Sequence, residues 1–142
     1  KCWKFRTMNL NEDSDNKQAS KKDSRVTSIG SFLRKTSIDE MPQFFNVLFG
    51  YMSIVGPRPH MLKHTEIYST SVNNYMFRHF VKPGITGLAQ VKGLRGETKD
   101  SLAMEHRIKL DMLYIENWSF ILDLKIIALT IFNSIKKDKN AY

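Results

Sequence analysis

At 142 residues and 42% hydrophobic composition, the chain is the size of one domain with enough apolar material for a core. Lysine and arginine total 22 against 14 aspartate and glutamate, and the formal net charge of +8 favours anionic partners. Those could be nucleic acid, phospholipid headgroups or nucleotide substrates, and the single cysteine, Cys2, excludes an internal disulfide and makes a reducing compartment the default.

The chain starts at Lys1 in a strand-like stretch, Cys2 to Arg6, and reads as a piece of a longer protein. No signal peptide is visible, and no window reaches the ~20 apolar residues of a spanning helix. The nearest, residues 120 to 135, is interrupted by Asp123 and Lys125. If the parent protein is membrane-bound, its main anchor is expected outside this chain. Residues 9–24 are almost wholly polar and read as a flexible surface loop. A short helix is expected from Thr27 or Ser28 to about Lys35, burying Ile29, Phe32 and Leu33. A second should begin near Asp39, carry Phe44, Phe45, Val47 and Leu48, and end at Gly50. Met52 to Val55 reads as a short strand or extended piece, with Pro57 and Pro59 fixing the turn after it. Residues 60–80 look helical, with Met61, Tyr68, Val72, Tyr75, Met76 and Phe80 as core candidates. Pro83-Gly84 ends that helix, and Ile85 to Val91 reads as strand or loop. Two helices follow, at about 100–116 and 119–137. The last has a broad apolar face (Ile121, Leu122, Leu124, Ile127, Leu129, Phe132), whose commoner role is core packing and whose alternative is seating at a membrane surface. The total is α+β: one mainly helical domain, residues 1–142, with a few short strands.

Asp39-Glu40 is the feature with the most chemistry. One reading is a capping box, with Ser37 as cap and Glu40 reaching back. Pro42 argues against that register, because it would fall in the hydrogen-bonded body of the helix. With Asp39 as cap, the N–H three places on belongs to Pro42 and does not exist, so only a reduced capping role through Met41 remains. The other reading is catalysis on phosphate. A carboxylate can attack phosphorus and form an aspartyl phosphate. The phosphate charge must then be neutralised by a hard cation such as Mg²⁺ and by arginine forks. Both readings stay open on local sequence.

Gly56-Pro57-Arg58-Pro59 holds one arginine between two prolines. It suits either a stiff surface turn or a preorganised phosphate clamp. Arg78 to Thr98 is basic and punctuated by glycine but contains no dinucleotide-binding or Walker pattern. Its glycines serve turns or a close approach to phosphate. His60, His64, His79 and His106 lack metal-like spacing. No aromatic-basic RNA motif or zinc finger supports a nucleic-acid module.

The ordered blocks identify a resemblance. They are Lys4-Phe5-Arg6-Thr7-Met8; Asp23 and Arg25 ahead of Ile29-Gly30; Ser37 to Gln43; Asn46-Val47-Leu48; Met52 to Pro59; Lys82 to Gly87; Gln90-Val91; Arg95 to Thr98; and Asp111 with Tyr114, Trp118-Ser119 and Leu122 to Lys125. Together they resemble the bacterial sugar transferase family, the monotopic phosphoglycosyl transferases that start exopolysaccharide, capsule and glycan assembly. The resemblance implies transfer of a sugar 1-phosphate from a UDP-sugar to polyprenyl phosphate (undecaprenyl phosphate), with Mg²⁺ and release of UMP, at the cytoplasmic face of the bacterial inner membrane. It implies Asp39 as nucleophile, Glu40 as its catalytic partner, and one or both acids as metal ligands. Arg34, Arg58, Arg95 and Gln90 match positions expected to bind substrate and its phosphates. The chain departs from the family pattern at Tyr51, where an acid is usual, at Leu88 and at Lys92. The family's membrane-dipping helix is absent from this chain. Nucleic acid is not an expected partner, and homo-oligomerisation is left open. The rival readings are a catalytically degenerate scaffold member, suggested by Tyr51, and a basic module binding nucleic acid or anionic lipid.

Overall fold

A computed structural model of the chain describes residues 2–10, 19–20, 23–94, 96 and 101–136. Most of the expected 9–24 loop and Arg95 lie outside the described residues. The first helix, α1, runs Ser28–Thr36. Thr27 caps it by accepting a hydrogen bond from Gly30 N at 2.9 Å, and Arg34 and Lys35 complement the helix dipole in the last turn. Ser37, left-handed at φ 56°, ends it.

The expected inward face of α1 is wrong. Ile29 and Phe32 are 73% and 60% exposed, and the buried residue is Gly30. The reason is the N-terminal segment, which crosses α1 there. A Cβ on Gly30 would lie 2.0 Å from the Thr7 carbonyl oxygen, so nothing larger fits. That segment, expected to be strand-like, forms no ladder from Cys2 to Arg6; an isolated antiparallel bridge pairs Met8 with Val26.

The expected single helix from Asp39 to Gly50 is two pieces. A 3-10 turn covers Ile38–Glu40, and α2 covers Gln43–Leu48 with Pro42 at its N-cap. Proline at that boundary forfeits no intrahelical hydrogen bond. Phe44, Phe45 and Leu48 are exposed, whereas Gln43 and Asn46 are each 1% exposed. Main chain explains this inversion at Asn46. Its Oδ1 accepts from Trp3 N at 2.9 Å, and its carbonyl accepts from Tyr51 N and Met52 N. The polar edge of α2 therefore faces inward and its apolar stripe outward.

Strands β1 (Ser53–Val55) and β2 (Gly84–Thr86) pair in parallel, Ser53 with Gly84 and Val55 with Thr86. A parallel pair needs a long crossover. Here it is α3, Leu62–Ser71, followed by a 3-10 helix, Tyr75–Phe80. The expected continuous helix over 60–80 breaks at Asn74, which is left-handed at φ 63°. Val72 and Tyr75 are core, as expected, while Met76 and Phe80 are exposed. After β2 the chain turns into a short helix, α4 (Leu88–Val91), then α5 (Ser101–Glu116) and α6 (Phe120–Ile135).

Two apolar clusters hold these parts. Val72, Tyr75, Met104 and Ile108 join the crossover to α5, with Tyr68 and Met112 alongside. Val55, Tyr114 and Ile126 join β1, α5 and α6, with Leu88, Val91, Leu122 and Ile127 alongside. Ile121, Leu124, Leu129 and Phe132 of α6, expected inside, are exposed. The architecture is mainly helical α+β. Among the described residues no helix is long and apolar enough to cross a membrane.

Candidate active site

The carboxylate pair sits on the tight turn between α1 and α2. Asp39 is half-buried, and its carbonyl accepts a hydrogen bond from Phe5 N at 3.0 Å. This bond fastens the N-terminal segment to the turn. Glu40 is 8% exposed and held by two cations. Lys4 Nζ donates to its Oε1 at 3.0 Å, and Arg58 donates to Oε1 and, at 3.4 Å, to Oε2.

Arg58 reaches Glu40 from the turn after β1. Burial alone would lower its pKa, but the Glu40 charge and hydrogen bonds outweigh that, helped by Asp39, and raise it. The guanidinium is a fixed positive charge beside both acids. Three features make the turn rigid. Pro57 and Pro59 restrict the backbone on both sides of Arg58. Gly84 N donates to the Pro57 carbonyl at 2.9 Å. Gly56 and Gly84 touch so closely that a Cβ on Gly84 would lie 2.1 Å from Gly56 N.

Of the residues singled out in the sequence, Asp39, Glu40 and Arg58 come together. Arg34 lies one turn earlier on α1, where its Nε donates to Thr7 Oγ1 at 2.8 Å. Gln90, on α4, bonds within its own corner, its Nε2 donating to the Ile85 carbonyl at 3.4 Å. It also lines an open cavity of about 300 Å³ with Val91, Lys92, Gly93, Asn133 and Lys136. Arg95 is outside the described residues.

Sequence reasoning missed Lys4 as a partner of Glu40, although the residue stands in a recognised block. It also missed the charged cluster behind the Arg58 turn. Arg78 is 4% exposed, ion-paired to Asp111 Oδ2 at 3.0 Å, and donates to the Arg58 carbonyl. His60 lies against it, 2.8 Å from Nε2 to the guanidinium, and His60 Nδ1 is 2.9 Å from the Tyr75 hydroxyl. Burial pushes the Asp111 carboxyl up to about 6, against the pull of Arg78 and Arg107. The hints to this cluster were the basic run around Arg78 and the place of Asp111 in a recognised block.

Among the described residues no group of three or more His, Cys, Asp or Glu could enclose a metal. Two adjacent carboxylates are the donor set that remains to be weighed against the Mg²⁺ expectation. This ion is commonly held by one or two carboxylates and completed by water and substrate phosphate. Both oxygens of Glu40 already accept from Lys4 or Arg58, so the half-buried Asp39 is the carboxylate better placed to meet such an ion.

The family model described as bacterial sugar transferase matches residues 1–137. A UDP-glucose:undecaprenyl-phosphate glucose-1-phosphate transferase of Klebsiella pneumoniae is 59% identical over all of this chain and 30% of its own length. The protein of the same name in Escherichia coli K12 is 53% identical over all of this chain and 31% of its own length. A UDP-N-acetylgalactosamine-undecaprenyl-phosphate N-acetylgalactosaminephosphotransferase of Aeromonas hydrophila is 42% identical over 92% of this chain and 31% of its own length. The chain thus spans about a third of the length of each of these relatives.

Proposed function

The chain belongs to the bacterial sugar transferase family, and we propose that it is the catalytic domain of a polyprenyl-phosphate sugar-1-phosphate transferase. The observation that carries the reading is the acid pair on one turn, with Glu40 gripped by Lys4 and Arg58. An anionic diphosphate meets a carboxylate productively only where cations offset the repulsion. This turn supplies them beside Asp39.

In the proposed reaction an Asp39 carboxylate oxygen attacks the sugar-bearing phosphorus of a UDP-sugar. The bond from that phosphorus to the bridging oxygen breaks, and UMP leaves with the electron pair. A polyprenyl phosphate oxygen then attacks the same phosphorus. The aspartyl–phosphorus bond breaks, restoring Asp39 and giving polyprenyl-diphosphate sugar. Glu40, fixed by Lys4 and Arg58, orients the turn beside Asp39. Arg58, Arg34 and Arg95 are the proposed phosphate-binding cations, with Gln90 the fourth substrate-binding position. Mg²⁺ held by Asp39 and Glu40 would supply charge neutralisation on the diphosphate. The names of the relatives at 59% and 53% identity support UDP-glucose as donor.

The acceptor is a lipid, and the surface around the acids suits one. Ile29 and Phe32 on α1, Met41 just after the 3-10 turn, and Phe44 and Leu48 on α2 are all exposed. An exposed apolar stripe beside a basic surface seats in the headgroup layer of a membrane. We place it at the cytoplasmic face of the inner membrane.

The test is UMP release by the full-length, membrane-anchored protein. The wild type should release UMP from UDP-glucose with Mg²⁺, and intact mass should show an added sugar phosphate. Asp39→Asn should do neither. Wild-type-like UMP formation by that variant removes the nucleophile, and absence of both signals from the wild type favours a degenerate scaffold.

A further inference from the structure

We infer that Arg78, pinned by Asp111 and His60, is a positioning residue that holds the Arg58 turn so that its guanidinium meets Glu40. The inference rests on the active-site reading above. Arg78 meets the site through Arg58, whose carbonyl accepts its hydrogen bond.

Its position is over-determined. One guanidinium nitrogen serves both the Arg58 carbonyl and Asp111 Oδ2, and the other lies against the His60 ring. The guanidinium carbon sits 5.6 Å from the centre of the Tyr75 ring. These partners come from the Arg58 turn, the crossover and α5. A planar fork can face several partners at once, which a lysine ammonium on a flexible stem cannot. A buried cation needs a counter-charge, and Asp111 provides it.

The contact is placed where it matters. Arg58 lies between two prolines, neither of which has an N–H to bond. The sheet holds the turn at Pro57, through Gly84 N. Arg78 holds it one residue later, at the Arg58 carbonyl itself. Beyond that carbonyl, the chain continues through Pro59 to His60, which Arg78 also contacts. The backbone on the far side of the Arg58 side chain is therefore held by this buried cation, with His60 also seated against the Tyr75 hydroxyl.

A merely structural ion pair and a positioning residue differ in a double-mutant cycle. In the full-length membrane protein, Arg78→Lys and Asp111→Asn are each made alone and with Arg58→Lys. Thermal midpoints are read alongside. Each single variant should lower kcat for UMP release by on the order of 10²-fold, since small misplacements near reacting groups cost that much. KM for the UDP-sugar should move far less. In the Arg58→Lys background the same substitutions should add little. Equal losses in both backgrounds, or single variants with wild-type kcat, overturn the inference.

If Arg78→Lys or Asp111→Asn does not fold, Tyr75→Phe takes its place, because it removes only the hydroxyl beside His60. It should give a smaller loss with the same dependence on Arg58. Arginine side-chain ¹⁵N spectra read the coupling without turnover. The Arg58 guanidinium signals, assigned by their loss in Arg58→Lys, should broaden in Asp111→Asn, or in Tyr75→Phe. Unchanged signals overturn the inference. A wild type that releases no UMP would end the proposed function while these spectra still decide the role of Arg78.

Discussion

Glu40 is the most tightly held of the candidate site residues, and its contacts separate it from Asp39. A buried carboxylate gripped by one lysine and one arginine is a fixed support, whereas the half-buried Asp39 beside it borders the outward surface. Glu40→Gln should leave Arg58 and Lys4 without their shared counter-charge. Breaking a partly buried pair this way should cost about 2–3 kcal/mol and most of the UMP release. Thermal melting and turnover of the full-length variant check both. Lys4→Met should be milder in stability, under about 1 kcal/mol, because the lysine side chain is 41% exposed. The acid pair was legible in the sequence because two adjacent carboxylates before a proline are locally odd. Lys4 was not, because its partner lies 36 residues away and only the folded chain brings them together. Arg78 was hidden for the same reason. A basic residue in a basic run gives no sign that it will be buried against Asp111.

Helices α5 and α6 were legible within one or two residues, because both are long runs without proline or glycine, divided at Asn117 to Ser119. The faces of α1 and α2 were not. Apolar spacing says that a non-aqueous partner exists, but it does not say that the partner is the protein core. Here Gly30, Gln43 and Asn46 face in, and Ile29, Phe32, Phe44 and Leu48 face out. The outward stripe therefore carries a prediction. Phe44→Ser with Leu48→Ser should leave the thermal midpoint nearly unchanged, since exposed substitutions usually fall within about 0.5 kcal/mol. It should raise KM for polyprenyl phosphate at least several-fold while KM for the UDP-sugar stays put. A parallel rise in both would point to damage at the acid pair instead. The inward glycine carries the opposite prediction. Gly30→Ala drives a methyl into the Thr7 carbonyl and should cost about 1–3 kcal/mol. The N-terminal segment carrying Lys4 and Thr7 would lift, and UMP release should fall with it.

Taken as one body, the domain is small in apolar core and rich in buried polar contacts, and the two apolar clusters meet along α5. Asp111 sits on α5 between Met104 and Ile108 of the first cluster and Tyr114 of the second. The pH response of the whole fold should therefore carry its signature. Burial raises the Asp111 carboxyl to about 6, and the nearby guanidinium groups of Arg78 and Arg107 only partly offset this. The folded state then holds the proton more tightly than the unfolded chain, whose carboxyl titrates near 3.9. As pH rises between those values the unfolded state binds fewer protons than the folded one, so stability falls. A shift of this size corresponds to roughly 3 kcal/mol. The loss should begin near pH 4 and level off above about pH 6, where Asp111 is ionised in both states. Asp23 works the other way, because its hydrogen bonds from Arg25 hold it well below the usual carboxylate range and favour the fold as pH rises. Wild type alone would blend the two. Asp111→Asn removes this titration and also takes the counter-charge from Arg78, a cost that does not vary across this pH range, so the pH dependence of the difference between wild type and variant isolates the titration. Thermal midpoints of the full-length pair, taken from pH 4 to pH 7, should show wild type losing ground to the variant up to about pH 6 and then running parallel. A difference that stays flat across that range would mean that Asp111 is ionised in the fold throughout, held down by its two arginines.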